Sequence, residues 1–261
     1  MLDEATRRDI ADRLWEAGRT RDPIEPISET HPDAEVTDAY EIQLLNVRRR
    51  VDEGARIRGH KVGISAKAVQ RMLGVHEPDY GHLFDDMFVF EGDTVDTGTL
   101  IQPRAEIETA FVLGAPLAGP GVTVADVLRA TEYLVPSIEI VDSRVADWRI
   151  TIVDTIADNA SCGLLVLGGR ATPISEVDPA LIGATLSVDG QIVETGASGA
   201  VLGNPATAVA WLANKVADFG VTLDAGDVVL PGACTAMVDV RAGNTVRADF
   251  DGLGHVSVTF T

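Results

Sequence analysis

Positive charge is scarce in this chain. Twenty-one Lys and Arg stand against forty Asp and Glu in 261 residues, a formal net charge of −19. Such a surface repels phosphate backbones and anionic lipid, so neither nucleic acid nor membrane is an expected partner. Cysteine is scarcer: Cys162 and Cys234 form no CxxC pair and cannot make a disulfide scaffold. The five histidines show no H-x-x-x-H or H-x-H spacing, which disfavours zinc. Aromatic residues make up only 5%, so a core must rest on Val, Ile, Leu and Ala. No apolar run reaches the ~20 residues needed to span a bilayer. The opening MLDEATRRDIADRLWEAG is amphipathic and acidic and lacks a signal peptide's apolar centre. A soluble cytoplasmic protein is the expectation.

Apolar residues make up 46%, enough for a sizeable core. The first ~20 residues read as a helix, with Ile10, Leu14 and Trp15 near helical spacing. Residues 21–35 carry three prolines and read as an extended connection. A second helix is predicted over Thr37–Gly54, with Tyr40, Leu44, Val47 and Val51 on one face. A short strand follows from Arg58 to Ile64, and Ser65 then caps a helix through Leu73. The polar stretch 74–82 reads as a glycine-bracketed loop.

Beyond residue 75 short β-type segments dominate, at 88–90, 107–113, 137–142, 163–167, 184–188, 227–230, 236–240, 245–250 and 255–260. Two helices interrupt them, Thr123–Leu134 and Pro205–Phe219, the latter with Asn204 as N-cap and Gly220 past its end. This is no βαβ repeat. It predicts an α+β fold: a small α-rich part over 1–74, then a largely antiparallel β-rich part over 75–261 holding the chemistry.

The sharpest chemical signal is Arg104-Ala105-Glu106-Ile107-Glu108. In a strand, Glu106 and Glu108 share a face, their carboxylates within ~7 Å. Alone, this also describes a solvent-facing edge. A second segment, Ser137-Ile138-Glu139-Ile140, again sets a Glu among β-branched apolar neighbours. Three carboxylates in a water-poor site repel unless they share a cation. All-oxygen ligation suits Mg²⁺ or Mn²⁺ and leaves positions open for substrate. Lys61, between glycines in GHKVG, is a candidate partner for a substrate carboxylate or enolate oxygen, or simply a surface lysine. Asp79 or Glu77 could be a general base, with His82 a weaker candidate. His60 reads as structural. Ser161 could hydrogen-bond a carboxylate. No G-x-S-x-G surrounds it, so it is not read as a nucleophile. Cys162 reads as a small hydrophobe.

These segments, in this order, resemble the 2-keto-4-pentenoate (2-hydroxypenta-2,4-dienoate) hydratase family of the fumarylacetoacetate hydrolase-like superfamily. The matching stretches include GHKVGISAKAVQRMLGVHEPDYGHLFDDM, QPRAEIETAFVL, PSIEIVDSRVADW, DTIADNASCG and GDVVLPGACTAMV. The resemblance implies a small helical N-terminal part and a barrel-like mixed sheet. It implies Mg²⁺ or Mn²⁺ on Glu106, Glu108 and Glu139, and pentamer-based homo-oligomers; whether the chain works alone or docked to a downstream aldolase or a decarboxylase stays open. Asp79, Lys61 and Ser161 then carry the chemistry, and Lys61, Ser161, Leu73 and Gly74 lie at the substrate. The implied reaction hydrates a 2-hydroxydienoate from ring meta-cleavage to a 4-hydroxy-2-oxo acid. Decarboxylation of a 2-oxo-3-enedioate such as 4-oxalocrotonate is the nearest alternative, and Asp79 argues for hydration. Acylpyruvate hydrolysis would need a His–Glu pair, which the ligand motifs lack. A non-catalytic binding protein would not need Lys61 and Asp79 beside the glutamates.

Overall fold

Capping residues set where the helices start. The computed structural model of the chain describes residues 1–73 and 75–261. Helix α1 (Glu4–Thr20) opens where Asp3 accepts from the Thr6 N–H, and closes on Arg21 in the left-handed region. Its buried Ile10, Ala11 and Leu14 join the core with Ala39, Tyr40 and Ile42 of α3 (Val36–Asp52). Between them the proline-rich connection holds one helical turn, α2 (Ile27–Thr30), where only extended chain was expected. The α3 stripe includes Tyr40 and Val47 as predicted, but Val51 is exposed near its end.

Strand β1 (Ile57–Gly63) and helix α4 (Lys67–Leu73) fall as expected. Residues expected to form a loop instead give β2 (Asp79–Phe84), buried along its whole length. A strand enclosed on both faces needs no polar alternation, so its pattern was unreadable. Short strands β3 (Phe88–Val89) and β4 (Thr94–Val95) precede the long β5 (Arg104–Leu113). Helix α5 (Val124–Ala130) is capped by Thr123 and stops four residues before the predicted Leu134. Thr131 turns extended, and the chain enters β6 (Thr131–Val141) with no breaker between.

Helix α6 (Ile152–Ala157) and strand β10 (Gln191–Ala197) are further elements the sequence did not announce. The remaining elements are β7 (Cys162–Leu167), β8 (Thr172–Pro173), β9 (Gly183–Val188), α7 (Pro205–Ala217), β11 (Val228–Leu230), β12 (Val238–Asp239), β13 (Thr245–Phe250) and β14 (Gly254–Phe260). Asn204 caps α7 with Pro205 at its start, as read from the sequence.

The strands form two mixed sheets. One runs β2-β1-β11-β5-β6-β7-β3, with β12 on β5 and β8 on β6; the other runs β10-β9-β13-β14-β4. Ile107 of β5 and Ile138 of β6 point into a core shared with Val256, Val258 and Phe260 of β14 and Val209 and Leu212 of α7. Their neighbours along each strand therefore face the other way, and that second face carries the carboxylates. The α+β expectation holds. Strand β1 lies before residue 75, yet it sits between β2 and β11 in the larger sheet, so the site draws on both expected parts.

Candidate metal centre and substrate cavity

Register assembles the three glutamates. In the antiparallel β5–β6 ladder Glu106 stands directly opposite Glu139, and Glu108 opposite Ser137. Directly opposed Cβ atoms lie ~5 Å apart, and i, i+2 neighbours share a face. The result is a triangle in which one carboxylate oxygen from each of Glu106, Glu108 and Glu139 lies within 4.8 Å of the others. Glu108 and Glu139 are fully enclosed, whereas Glu106 keeps an edge open to a cavity of about 500 Å³.

Few partners satisfy these oxygens. The Gly232 N–H donates to Glu108 Oε2 at 2.7 Å, but Glu108 Oε1 and both Glu139 oxygens lack a hydrogen bond. Lys61 Nζ stands 3.3 Å from Glu139 Oε1, an ion pair by distance without hydrogen-bond direction. Orphaned buried carboxylate oxygens are costly, and a hard cation shared among them removes that cost. With no cation bound, burial pushes Glu106 up to about 7, against the pull of Lys61. Burial also raises Glu108 well above the usual range, with Glu139 and Glu106 adding to it, and raises Glu139 despite Lys61. The donor set and the free oxygens fit Mg²⁺ or Mn²⁺ held by Glu106, Glu108 and Glu139.

Lys61 is almost completely buried on β1. Its ammonium donates to the Ala160 carbonyl at 2.9 Å. Burial favours the neutral amine, but Glu139, Asp79 and Glu106 outweigh it and hold Lys61 charged. Asp79 pairs with Gly63 in the β1–β2 ladder and so shares a face with Lys61. It is buried, and its Oδ1 has no partner. Gly63 is required here: a Cβ on it would lie 2.2 Å from Asp79 Oδ1 and 3.2 Å from Lys61 Nζ.

Ser161 lines the same cavity and donates its hydroxyl to Asp158 Oδ2 at 3.1 Å. Asp158 is clamped in turn by the Arg144 guanidinium. Cys162 is buried beside Glu139, and burial pushes its thiol well up, so it packs as a neutral group. Leu73 and Gly74, expected at the substrate, lie outside the described residues and side chains.

The other candidates fall elsewhere. Glu77 pairs with Lys215 at 2.8 Å. His60 and His82 face each other across β1–β2, one residue out of phase with Lys61, and so point to the opposite face. There His82 Nδ1 meets Gln43 Oε1 at 3.0 Å, and burial lowers His82 to about 4. No histidine lines the cavity among the described residues.

The sequence reading missed the cavity mouth. Arg104 lies two residues before Glu106 on the same face and meets Asp239, Trp148 and Met237 there. The same period-two rule that joined Glu106 to Glu108 reaches Arg104 as well.

The family model of the fumarylacetoacetate (FAA) hydrolase C-terminal region matches residues 58–261. The chain is 46% identical over 251 residues to 2-hydroxyhexa-2,4-dienoate hydratase of Comamonas testosteroni, covering 95% of each chain. It is 45% identical over 256 residues to 2-keto-4-pentenoate hydratase of Paraburkholderia xenovorans (strain LB400), covering 97% of this chain and 94% of that one. Among solved structures, 4-oxalocrotonate decarboxylase from Pseudomonas putida G7, complexed with magnesium and adipate, superposes with a TM-score of 0.97 at 35% identity. That match covers 100% of this chain and 99% of the other. With this breadth of similarity, the chain belongs to the fumarylacetoacetate hydrolase family, within its group of 2-keto-4-pentenoate hydratases.

Proposed function

We propose that this protein is a divalent-metal-dependent hydro-lyase that hydrates a 2-hydroxypenta-2,4-dienoate or close homologue to a 4-hydroxy-2-oxo acid. One observation carries the reading: three glutamates cluster, Glu108 and Glu139 with orphaned oxygens, and Glu106 opens the cluster onto a cavity lined by a charged lysine and an aspartate with an unpartnered oxygen. A cation on Glu106, Glu108 and Glu139 supplies Lewis-acid stabilisation of negative charge on the substrate's C2 oxygen.

The chain's own groups perform the rest. Asp79 takes the proton of the 2-hydroxyl and passes it to C5, so the dienol becomes the conjugated 3-en-2-one and Asp79 is ionised again. That makes C4 electrophilic. Asp79 next takes a proton from the water that adds at C4. Asp79 then passes that proton to C3 of the enolate, which completes the net addition of water and restores the base. Lys61, kept charged by its carboxylate neighbours, faces the developing enolate charge. Ser161 exchanges its bond to Asp158 for one to the C1 carboxylate.

The decarboxylase at TM-score 0.97 favours a second reading, loss of CO₂ from a 2-oxo-3-enedioate. Both reactions pass through an enolate, so the metal ligands do not choose between them; Asp79 does. The test follows loss of dienoate absorbance with Mg²⁺ or Mn²⁺, then adds EDTA. Turnover is expected to stop on chelation and return with metal. Turnover that survives EDTA sinks the metal role. Asp79→Asn is expected to slow hydration by about 10²–10⁴-fold. Rapid CO₂ release from 4-oxalocrotonate with no hydration would install the second reading instead.

We place the protein in the cytoplasm as a homo-oligomer, pentamer-based. Two free, buried cysteines suit a reducing compartment, and the exposed Phe90, Leu181 and Ile192 suit contact with further copies. Docking to a downstream aldolase or to a decarboxylase belongs to the same proposal. The division at residue 74 marks a change of sequence character, since Lys61 on its N-terminal side is built into the larger sheet. Light scattering checks the assembly.

A further inference from the structure

The metal-facing row of β5 does not end at Glu106. Arg104 continues it to the cavity mouth, where the β12 ladder sets Asp239 directly opposite. Arg104 Nε donates to Asp239 Oδ1 at 2.7 Å, and the guanidinium lies 4.7 Å from the centre of the Trp148 ring. Trp148 is itself fixed by donation from Nε1 to the Gln102 carbonyl at 3.1 Å. Arg104 is thus held on one edge by a carboxylate and on one face by an indole.

Lys61 and Arg104 are the only cations lining the cavity among the described residues, and Lys61 is engaged at the floor. The lining also includes the apolar Val69, Val141, Ile150 and Ala236, interspersed with Ser65, Thr155 and Thr235. A five-carbon dienoate has eight heavy atoms. Even at a water's share of ~30 Å³ each, they fill about 240 Å³, well short of this cavity.

We infer that the Arg104–Asp239 pair, with the apolar part of the cavity lining, selects dienoates whose C5 substituent is uncharged and apolar, and turns away those ending in a second carboxylate. This deepens the hydration reading and rests on it for the reaction, though not for the binding preference. A terminal carboxylate would meet Asp239 as a like charge and would have to share Arg104 with it. An alkyl chain meets neither penalty and gains burial on Trp148 and Ile150.

The test has two arms. The first measures binding of 2-oxooctanoate and 2-oxooctanedioate to the Mg²⁺-loaded protein by calorimetry. The wild type is expected to bind the monoacid at least about tenfold more tightly. Asp239→Asn, which removes the like charge while leaving an acceptor for Arg104, is expected to narrow that ratio about tenfold or invert it. A wild-type preference for the diacid overturns the inference without any variant, and so does a folded Asp239→Asn whose ratio stays put. The second arm compares kcat/KM for 2-hydroxydienoates carrying hydrogen, alkyl or carboxyalkyl at C5. Alkyl chains are expected to gain up to about fourfold per methylene. If no dienoate turns over while the 2-oxo acids still show the preference, the reaction is wrong and the selectivity stands. If dienoates turn over with the carboxyalkyl substrate preferred, the selectivity is wrong and the reaction stands.

Discussion

Glu108 is the most confined of the three glutamates: fully enclosed, one oxygen tied to the Gly232 N–H and the other free. Glu108→Gln keeps the shape and can still accept from Gly232, but it removes a ligand charge and a repulsion. The variant's Mg²⁺ affinity is expected to fall by about a hundredfold or more, with activity falling alongside. Its metal-free form should melt higher than metal-free wild type near neutral pH, because folding no longer has to desolvate or protonate a carboxylate there. Undiminished affinity in titration calorimetry would remove Glu108 from the ligand set. At this scale much was legible. Period-two spacing put Glu106 and Glu108 on one face, Lys61 stood out between glycines, and Asp79 stood in a polar loop as a base candidate beside Glu77. The Arg104–Asp239 contact was not legible. It depends on a two-residue strand 135 positions away, whose pairing no local pattern announces.

Strands β1 and β2 show how an element turns single residues into a site. Their ladder brings Gly63 opposite Asp79, and the missing side chain at Gly63 leaves room for the Asp79 carboxylate beside Lys61. Gly63→Ala must move the Asp79 head group. That is cheap for the fold, since the clash is with the end of a side chain, and costly for the reaction. Hydration is expected to drop about tenfold to a hundredfold while the melting temperature shifts by only a few degrees. Full activity in Gly63→Ala would dissociate Asp79's position from catalysis. Element types were readable where one face is wet and the other dry, as in α1, α3, β13 and β14. They failed where both faces are buried, as in β2, and where α5 passes into β6 without a turn residue.

Across the whole molecule the two faces of the larger sheet respond to acid with opposite signs. On the helix-facing side His60 and His82 are buried and neutral; burial holds His60 well below its usual value and His82 at about 4. Groups depressed on folding contribute stability above ~6.5, the unfolded histidine value. That stability is lost as pH falls toward the folded value, by up to about 3 kcal/mol for His82. On the other face, without metal, Glu106 is raised to about 7, with Glu108 and Glu139 raised as well. Groups raised on folding contribute stability below ~4.3, the unfolded glutamate value, and lose it as pH climbs through the folded value. Between pH 7 and 5 the two sets therefore oppose each other in metal-free protein. Saturating Mg²⁺ holds the glutamates ionised and removes their compensation, while protons compete with the metal for them. The melting temperature of the Mg²⁺-saturated protein is expected to drop by several degrees from pH 7 to 5. The EDTA-treated protein should drop less or rise over the same interval. Parallel slopes in calorimetric scans of the two forms would mean that the three carboxylates do not bind the cation. They would then be a cluster that folding merely tolerates.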